Sequence, residues 1–175
     1  MSTISAPAAP PRRPDGRFMR QHPAHWIALG FGSGLPRNAP GTCGTIFAWL
    51  VFVLVDRWLQ GAGWAVVIVV TLAAGAWAAQ RTGTALGVAD SSHIVIDEIA
   101  AFWIVLAMLP AGSSLLMQLA AFVLFRFFDI AKPPPIRALD QRLKHGFGVM
   151  LDDVVAAFYT LLVLALVLRL IRYVS

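Results

Sequence analysis

The segment AGWAVVIVVTLAAGAWAAQ, at positions 62–80, contains no charged side chain over 19 consecutive residues. A helix needs about 20 predominantly apolar residues to cross the hydrocarbon core of a bilayer. Backbone N–H and C=O groups in that core must find partners inside the protein, so only helices and closed barrels span it. The segment therefore predicts a transmembrane helix.

Similar sequence recurs along the chain, in which 58% of the 175 residues are hydrophobic and the mean hydropathy is +0.72. These values lie far from those of ordinary soluble domains. The links QGAG and PAGSS, at 60–63 and 110–114, are short and turn-like, which predicts that the helices they join are antiparallel neighbours. We predict an all-α fold, a polytopic helical membrane protein with about four to five hydrophobic helices. Besides 62–80, the predicted spans are 42–59, 94–110, 115–131 and 154–171.

The chain divides into a predicted tail and one predicted domain. Residues 1–20 are rich in Pro, Ala and Arg and lack the apolar run of a cleavable signal peptide, so we interpret them as a disordered basic tail. Residues 21–175 form the predicted helical membrane domain. Cys43 is the single cysteine, which leaves no pair for an internal disulfide. The net charge of +5 comes without a basic stripe interleaved with aromatic residues, so no nucleic-acid partner is expected.

Charged residues are unevenly divided between the two sides of such a five-span protein. Eleven of the fourteen Lys and Arg residues fall on the side that holds the N-terminal tail and the loops 81–93 and 132–153. Cytoplasmic loops carry an excess of Lys and Arg, so this side is predicted to be cytoplasmic. Eight of the nine Asp and Glu residues fall on the same side, and the bias in basic residues does not account for them.

Five of these acids lie at the predicted cytoplasmic ends of helices. An ionised carboxylate is costly there, by about 2.5–3.5 kcal/mol at the centre of a span and by less near the interface. The dipole of a helix favours acids at its N-terminus, which remains an alternative explanation for Asp97 and for one of Asp152 and Asp153. It disfavours Asp129, near a predicted helix C-terminus, so Asp129 is the acid that most strongly indicates function. The five acids are Asp97, Glu98, Asp129, Asp152 and Asp153.

Divalent cations and neighbouring bases are the two natural partners for such a cluster. Hard cations such as Mg²⁺ bind carboxylate oxygens and leave positions for water and substrate phosphate, so we predict that the five acids form a catalytic Mg²⁺ site. Arg126, Asp129 and Lys132 are spaced i, i+3, i+6, which places them on one face of a helix that the PPP at 133–135 terminates. We predict that Arg126, Lys132 and Arg137 bind substrate phosphate.

The glycine-rich segment GFGSGLPRNAPGTCGT, at 30–45, precedes the first predicted span. It follows no predicted strand and lacks a Gly-Lys-Ser/Thr ending, so neither a dinucleotide fingerprint nor a P-loop is supported. One interpretation is that its glycines allow close helix packing. The other is that its backbone N–H groups and the hydroxyls of Thr42 and Thr45 contact phosphate at the start of a helix.

Three segments together resemble the phosphatidylglycerophosphatase A family: GFGSGLPRNAPGTCGT, DSSHIVIDEIAAFW and RFFDIAKPPPIRALDQRLKHGFGVMLDDVVAAF. The resemblance covers about residues 27–165, and the third segment is the most specific. It implies a Mg²⁺-dependent lipid phosphatase of the bacterial inner membrane that converts phosphatidylglycerophosphate to phosphatidylglycerol in phospholipid biosynthesis. The family's acidic motifs match Asp97 and Glu98, Asp129, and Asp152 and Asp153, and its Lys-Pro matches Lys132.

Two alternatives remain at this stage. A divalent-cation transporter would also place acids in membrane helices, although such sites tend to lie near the midplane on broken helices rather than at helix ends on one side. A phosphatase acting on another lipid phosphate would need the same arrangement of acids and bases. A phosphatase with a nucleophilic histidine in a Ser-Gly-His motif is not supported, because the motif does not occur.

Overall fold

The computed structural model describes residues 13–59, 61–88, 91–134 and 146–174, and the predicted phosphate ligand Arg137 lies outside them. The described residues form helices joined by turns, with one 3₁₀ turn at Gly30–Gly32 and no strand, so the predicted all-α class is confirmed for this part of the chain. The helices are α1 (Gly16–Met19), α2 (Pro23–Ala28), α3 (Pro40–Val55), α4 (Ala62–Leu86), α5 (Ile96–Met108), α6 (Leu115–Ala131) and α7 (Gly146–Val174).

Helix α5 is the centre of the bundle. It packs against α3, α4, α6 and α7, and eight of its thirteen residues are buried. Phe102 at its middle is fully buried and contacts the ring of Phe125 on α6, with the ring centroids 5.4 Å apart. The short link between the first two hydrophobic helices predicts that they are antiparallel neighbours. In the structure α3 and α4 each pack along α5 rather than along each other. Their stacked rings Phe52 and Trp64 meet where the chain turns between them.

The glycine-rich segment packs closely against the residues that lead into α5. A Cβ on Gly44 would come within 2.7 Å of the Cβ of Val95, and one on Gly34 would collide with the carbonyl oxygen of His93. The His93 ring also hydrogen-bonds the Gly34 carbonyl at 2.7 Å. These contacts support the interpretation that the glycines allow close packing. The same contacts set the position of the start of α3 relative to the start of α5.

Two helices are long and apolar enough to cross a bilayer, judged by length and composition among the described residues. They are Ala62–Leu86 and the Met150–Tyr173 part of α7. In each, 22% of the most apolar window is buried inside the protein. A core helix of a soluble protein would be mostly buried, whereas these two present most of their apolar surface outward. The prediction of four to five spans is not settled by this observation.

Two helix boundaries differ from those expected. Helix α7 begins at Gly146, so Asp152 and Asp153 lie about two turns inside it rather than at its start. Helix α6 ends at Ala131, which leaves Lys132 outside the helical face shared by Arg126 and Asp129. Lys132 has a φ of 41°, a left-handed conformation of the kind that often ends helices. The proline that follows disfavours continuation of the right-handed helix through Lys132.

Residues 1–12 of the predicted tail lie outside the described residues. Within residues 13–20, Gly16–Met19 forms α1, and the Asp15 side chain caps it by accepting hydrogen bonds from the backbone N–H groups of Arg17 and Phe18. The Arg13 guanidinium donates to the carbonyl oxygen of Leu35 at 3.3 Å. The part of this stretch next to the domain therefore packs on the glycine-rich segment.

Two phenylalanines on α6 provide a matched test of this packing. Phe125 is fully buried against α5, whereas Phe127 is 61% exposed on the outer face. We expect Phe125→Ala to lower the melting temperature of the detergent-solubilised protein by roughly 6 °C or more, because it leaves a cavity beside Phe102. Phe127→Ala should change it by far less. Equal melting temperatures for the two variants, measured by differential scanning fluorimetry, would contradict the assignment of α5 as the packed core.

Candidate functional site

Three carboxylates converge at one end of the bundle. Asp97 and Glu98 lie in the first turn of α5, and Asp153 lies on α7, which packs along α5. One oxygen from each lies within 4.8 Å of an oxygen of the other two. Asp97 and Asp153 are only 7% and 4% exposed, and Glu98 is half-buried. An all-oxygen set of this size is the donor type that hard divalent cations prefer.

Asp129 joins the cluster through an arginine. On the last turns of α6, the Arg126 guanidinium lies 2.5 Å from Asp129 Oδ2 and 3.6 Å from Glu98 Oε1. Arg126 thus compensates a carboxylate at the unfavourable C-terminal end of a helix and links α6 to the acids of α5.

Asp152 has a separate basic partner. Lys132 Nζ lies 2.6 Å from Asp152 Oδ2, which joins the end of α6 to α7. The left-handed backbone of Lys132 costs roughly 1–2 kcal/mol for a residue with a Cβ. Its N–H still caps α6 by donating to the carbonyl oxygen of Phe128 at 2.9 Å. The two ion pairs leave both bases beside the converging carboxylates.

The first turn of α3 forms another wall of the site. Thr45, which is fully buried, donates its hydroxyl to the carbonyl oxygen of Gly41 at 2.9 Å and accepts from Arg126 at 3.4 Å. A Cβ on Gly41 would collide with Glu98 Oε1 and lie 3.0 Å from the Arg126 guanidinium. Glycine at this position therefore lets the α3 backbone approach the Glu98–Arg126 pair.

Among the described residues of the site, the charges do not balance. If all are ionised, the five predicted acids outnumber Arg126 and Lys132 by three. Within the described chain, two buried polar atoms here have no hydrogen-bond partner, Glu98 Oε2 and Arg126 Nε. A buried, unpartnered carboxylate oxygen is costly, and a bound cation would satisfy it.

The predicted site residues fall into three groups. The five acids, Arg126, Lys132 and Thr45 are brought together as described above. Thr42 is half-buried one turn before Thr45 on α3. Arg137 lies outside the described residues. The sequence analysis did not single out Gly41, although the PGT motif that begins α3 was the available signal.

Comparison with known proteins identifies the family of this chain. Residues 26–168 match the family described as Phosphatidylglycerophosphatase A. The chain is similar to a phosphatidylglycerophosphatase A of Haemophilus influenzae, with 43% identity over 142 residues, which are 81% of this chain and 86% of the relative. It is 36% identical to the Escherichia coli protein of the same name over 149 residues, covering 83% and 86% of the two chains.

The chain belongs to the phosphatidylglycerophosphatase A family. The resemblance inferred from the three sequence segments is thereby confirmed, and the protein is a phosphatase of this family. A relative from Bacteroides thetaiotaomicron, 38% identical over 144 residues, is provisionally named a phosphatidylinositol-3-phosphatase. That match covers 79% of this chain and 89% of the relative. No solved structure matches the chain at a significant level.

The close approach at Gly41 predicts a sharp effect of one methyl group. We expect Gly41→Ala to lower phosphatase turnover about tenfold or more, a loss of about 1.4 kcal/mol in transition-state stabilisation, because the new Cβ displaces Glu98 from Arg126. Gly16→Ala is the matched control, since a Cβ there meets nothing within 4 Å. Turnover of both variants is measured on protein whose melting temperature is retained. If folded Gly41→Ala keeps the turnover of the unsubstituted protein, the Glu98–Arg126 contact is not required for activity.

Proposed function

We propose that this chain hydrolyses the terminal phosphate monoester of phosphatidylglycerophosphate in a Mg²⁺-dependent reaction, giving phosphatidylglycerol and inorganic phosphate. The proposal rests on one observation above others: three carboxylates, two of them buried and one half-buried, converge beside two paired bases at one end of an apolar helix bundle. The names of the Haemophilus influenzae and Escherichia coli relatives support this substrate. Its product feeds phospholipid biosynthesis.

The donor set fits Mg²⁺. Asp97, Glu98 and Asp153 supply carboxylate oxygens only, and the partnerless Glu98 Oε2 is a buried acceptor that a cation would satisfy. Without a bound cation, the clustered carboxylates would repel a phosphate dianion. When bound, the metal supplies Lewis-acid polarisation of the phosphoryl group. Asp129 and Asp152, each held by a base, are the proposed additional acids of the site.

Arg126 and Lys132 are proposed to bind the phosphoryl oxygens. Each is already held beside the carboxylates by an ion pair, to Asp129 and Asp152 respectively. A planar guanidinium with donors to spare, including the partnerless Nε, suits two phosphate oxygens at once, whereas Lys132 acts as a point charge. Because both are positioned before substrate arrives, they stabilise developing charge with little reorganisation. Thr45 holds the Arg126 side chain from the α3 side.

The outer face of α6 suits a substrate that stays anchored in lipid. Phe127 and Ile130, on either side of Asp129, are 61% and 71% exposed. Apolar side chains at this level would contact acyl chains while the headgroup phosphate reaches the carboxylates. The site therefore accepts a phosphate at the membrane surface without extracting the lipid from the bilayer.

We also propose how the helices are arranged in the membrane. We place all five long helices, α3 to α7, in the bacterial inner membrane, with the carboxylates on the cytoplasmic side because the basic residues concentrate there. Helix α5 has 13 residues and is only about 20 Å long, less than the roughly 30 Å of hydrocarbon. It packs against four helices and eight of its thirteen residues are buried, so protein rather than lipid contacts most of it.

A second lipid substrate is a specific alternative, because one relative carries a phosphatidylinositol-3-phosphatase name. The carboxylates and bases recognise the phosphate monoester, which both lipids share. A cation transporter is less well supported, since the carboxylates lie at the ends of α5 and α6 and not at their middles. Activity on each lipid phosphate in parallel distinguishes these functions.

The decisive experiment measures phosphate release by purified protein in mixed micelles. We expect release from phosphatidylglycerophosphate when Mg²⁺ is present and its loss in excess chelator, with recovery when Mg²⁺ is restored. Phosphatidylinositol 3-phosphate in the same micelles is the comparison substrate. Full activity in chelator would contradict the metal proposal. Cation flux into liposomes without any phosphate release would contradict the phosphatase assignment for this chain.

Acid-to-amide variants test the proposed ligands. Glu98→Gln and Asp153→Asn should each lower turnover by about a hundredfold or more, roughly 2.7 kcal/mol, because each removes a charged oxygen from the cluster while keeping the side-chain shape. Asp56→Asn is the matched control at the opposite end of the bundle, where the amide oxygen can still accept from Trp64 Nε1. If both cluster variants keep near-normal turnover, Glu98 and Asp153 do not hold a catalytic metal and their role is structural.

The proposed orientation has its own test. In a Cys43→Ser background, Asn38→Cys places a thiol on the exposed segment before α3, at the site end, and Ala111→Cys places one in the exposed turn before α6, at the other end. We expect a membrane-impermeant maleimide to label Ala111→Cys in intact spheroplasts and Asn38→Cys only after lysis. The reverse pattern would put the carboxylates on the outer side.

A further inference from the structure

A separate pocket with basic side chains lies on the flank of the bundle, between α2 and the C-terminal part of α4. Its volume is about 260 Å³, and it is lined by Gln21, His22, His25, Arg81, Thr84 and Ala85. None of these residues belongs to the carboxylate site. Three of the six carry basic side chains, and no carboxylate of the described chain is among the lining residues.

The two histidines are held in fixed orientations by the fold. His22 caps α2, where its Nδ1 accepts a hydrogen bond from the backbone N–H of Ala24 at 3.1 Å. Its Nε2 must therefore carry the ring proton and is available as a donor. His25, only 5% exposed, contacts the Thr82 hydroxyl through Nδ1 at 2.9 Å and stacks on the Phe18 ring at 4.2 Å.

Three basic side chains share this pocket. Burial lowers the pKa of His25, and the nearby His22 and Arg81 lower that pKa further. Arg81 is exposed, and neither a hydrogen bond nor an ion pair to a carboxylate engages it within the described residues. An anion in the pocket would contact donors from both helices and lie beside the positive charge of Arg81.

We propose that the pocket of His22, His25 and Arg81 binds a phosphate anion, held as the headgroup of an anionic phospholipid beside α4. Helix α4 is one of the two helices suited to crossing a bilayer, and Arg81 lies in its last two turns, where a long basic side chain reaches headgroups at the interface. Arg81 supplies a paired set of donors for phosphate oxygens, and His22 Nε2 supplies another. This site is separate from the carboxylates and does not depend on the proposed reaction.

The proposal has a direct spectroscopic test, because the chain has four histidines and two of them line the pocket. The protein is labelled with ¹⁵N-histidine, placed in nanodiscs, and its ring signals are assigned with His22→Gln and His25→Gln. We expect the His22 and His25 signals to shift when phosphatidylglycerol replaces phosphatidylcholine. The His93 signal, whose ring is fixed on Gly34, should not move.

Arg81→Gln should weaken the apparent affinity about tenfold, whereas Arg57→Gln, an exposed arginine after α3, should leave it unchanged. A second arm adds inorganic phosphate to phosphatidylcholine nanodiscs. Shifts of the same two signals by phosphate alone would support the anion site and identify soluble phosphate as a source. Absent shifts, equal shifts in Arg81→Gln, or an equal shift of His93 would overturn the proposal.

Discussion

The burial of a short central helix is the constraint on which the rest of the structure depends. Helix α5 contacts α3, α4, α6 and α7, so its first turn brings Asp97 and Glu98 into the protein interior. Carboxylates removed from water need compensating charge, and the neighbouring helices provide Arg126 and Lys132. Among the described residues the carboxylates still outnumber these bases, which suits this end of the bundle to cations.

Close backbone contacts set the position of the first turn of α5 relative to the glycine-rich segment. The glycine-rich segment touches the residues before α5 at Gly34 and Gly44 and reaches the Glu98–Arg126 pair at Gly41. Side chains at these positions would hold the helix starts apart, and the carboxylate cluster would open. The packing interpretation of the segment is therefore supported, and the same packing positions Glu98. The contact of Thr42 and Thr45 with phosphate stays a prediction.

The sequence predicted the helices and their polar end well, because both depend on local signals. The apolar runs predicted helices near α3 to α7, and the acids at their ends predicted a cluster. The start of α7 was misplaced because Gly146 to Met150 are helical before the apolar run begins, and hydropathy marks the run rather than the helix. Pairings such as Lys132 with Asp152 join distant parts of the chain and left no periodic signal. Their roles in metal and phosphate binding stay predictions.

The position of each acid along its helix shows whether the helix dipole can stabilise it. Asp152 and Asp153 lie about two turns inside α7, beyond the first turn in which the helix dipole acts, so the dipole does not account for them. Asp97 and Glu98 do lie in a first turn, but the dipole offers nothing to the partnerless Glu98 Oε2. Asp129 is stabilised by Arg126 rather than by its helix. Because Arg126 also faces Glu98 and receives support from Thr45, one guanidinium ties three helices to the cluster. In the proposed reaction the same side chain meets the phosphate, so the contact that stabilises the fold also prepares the site.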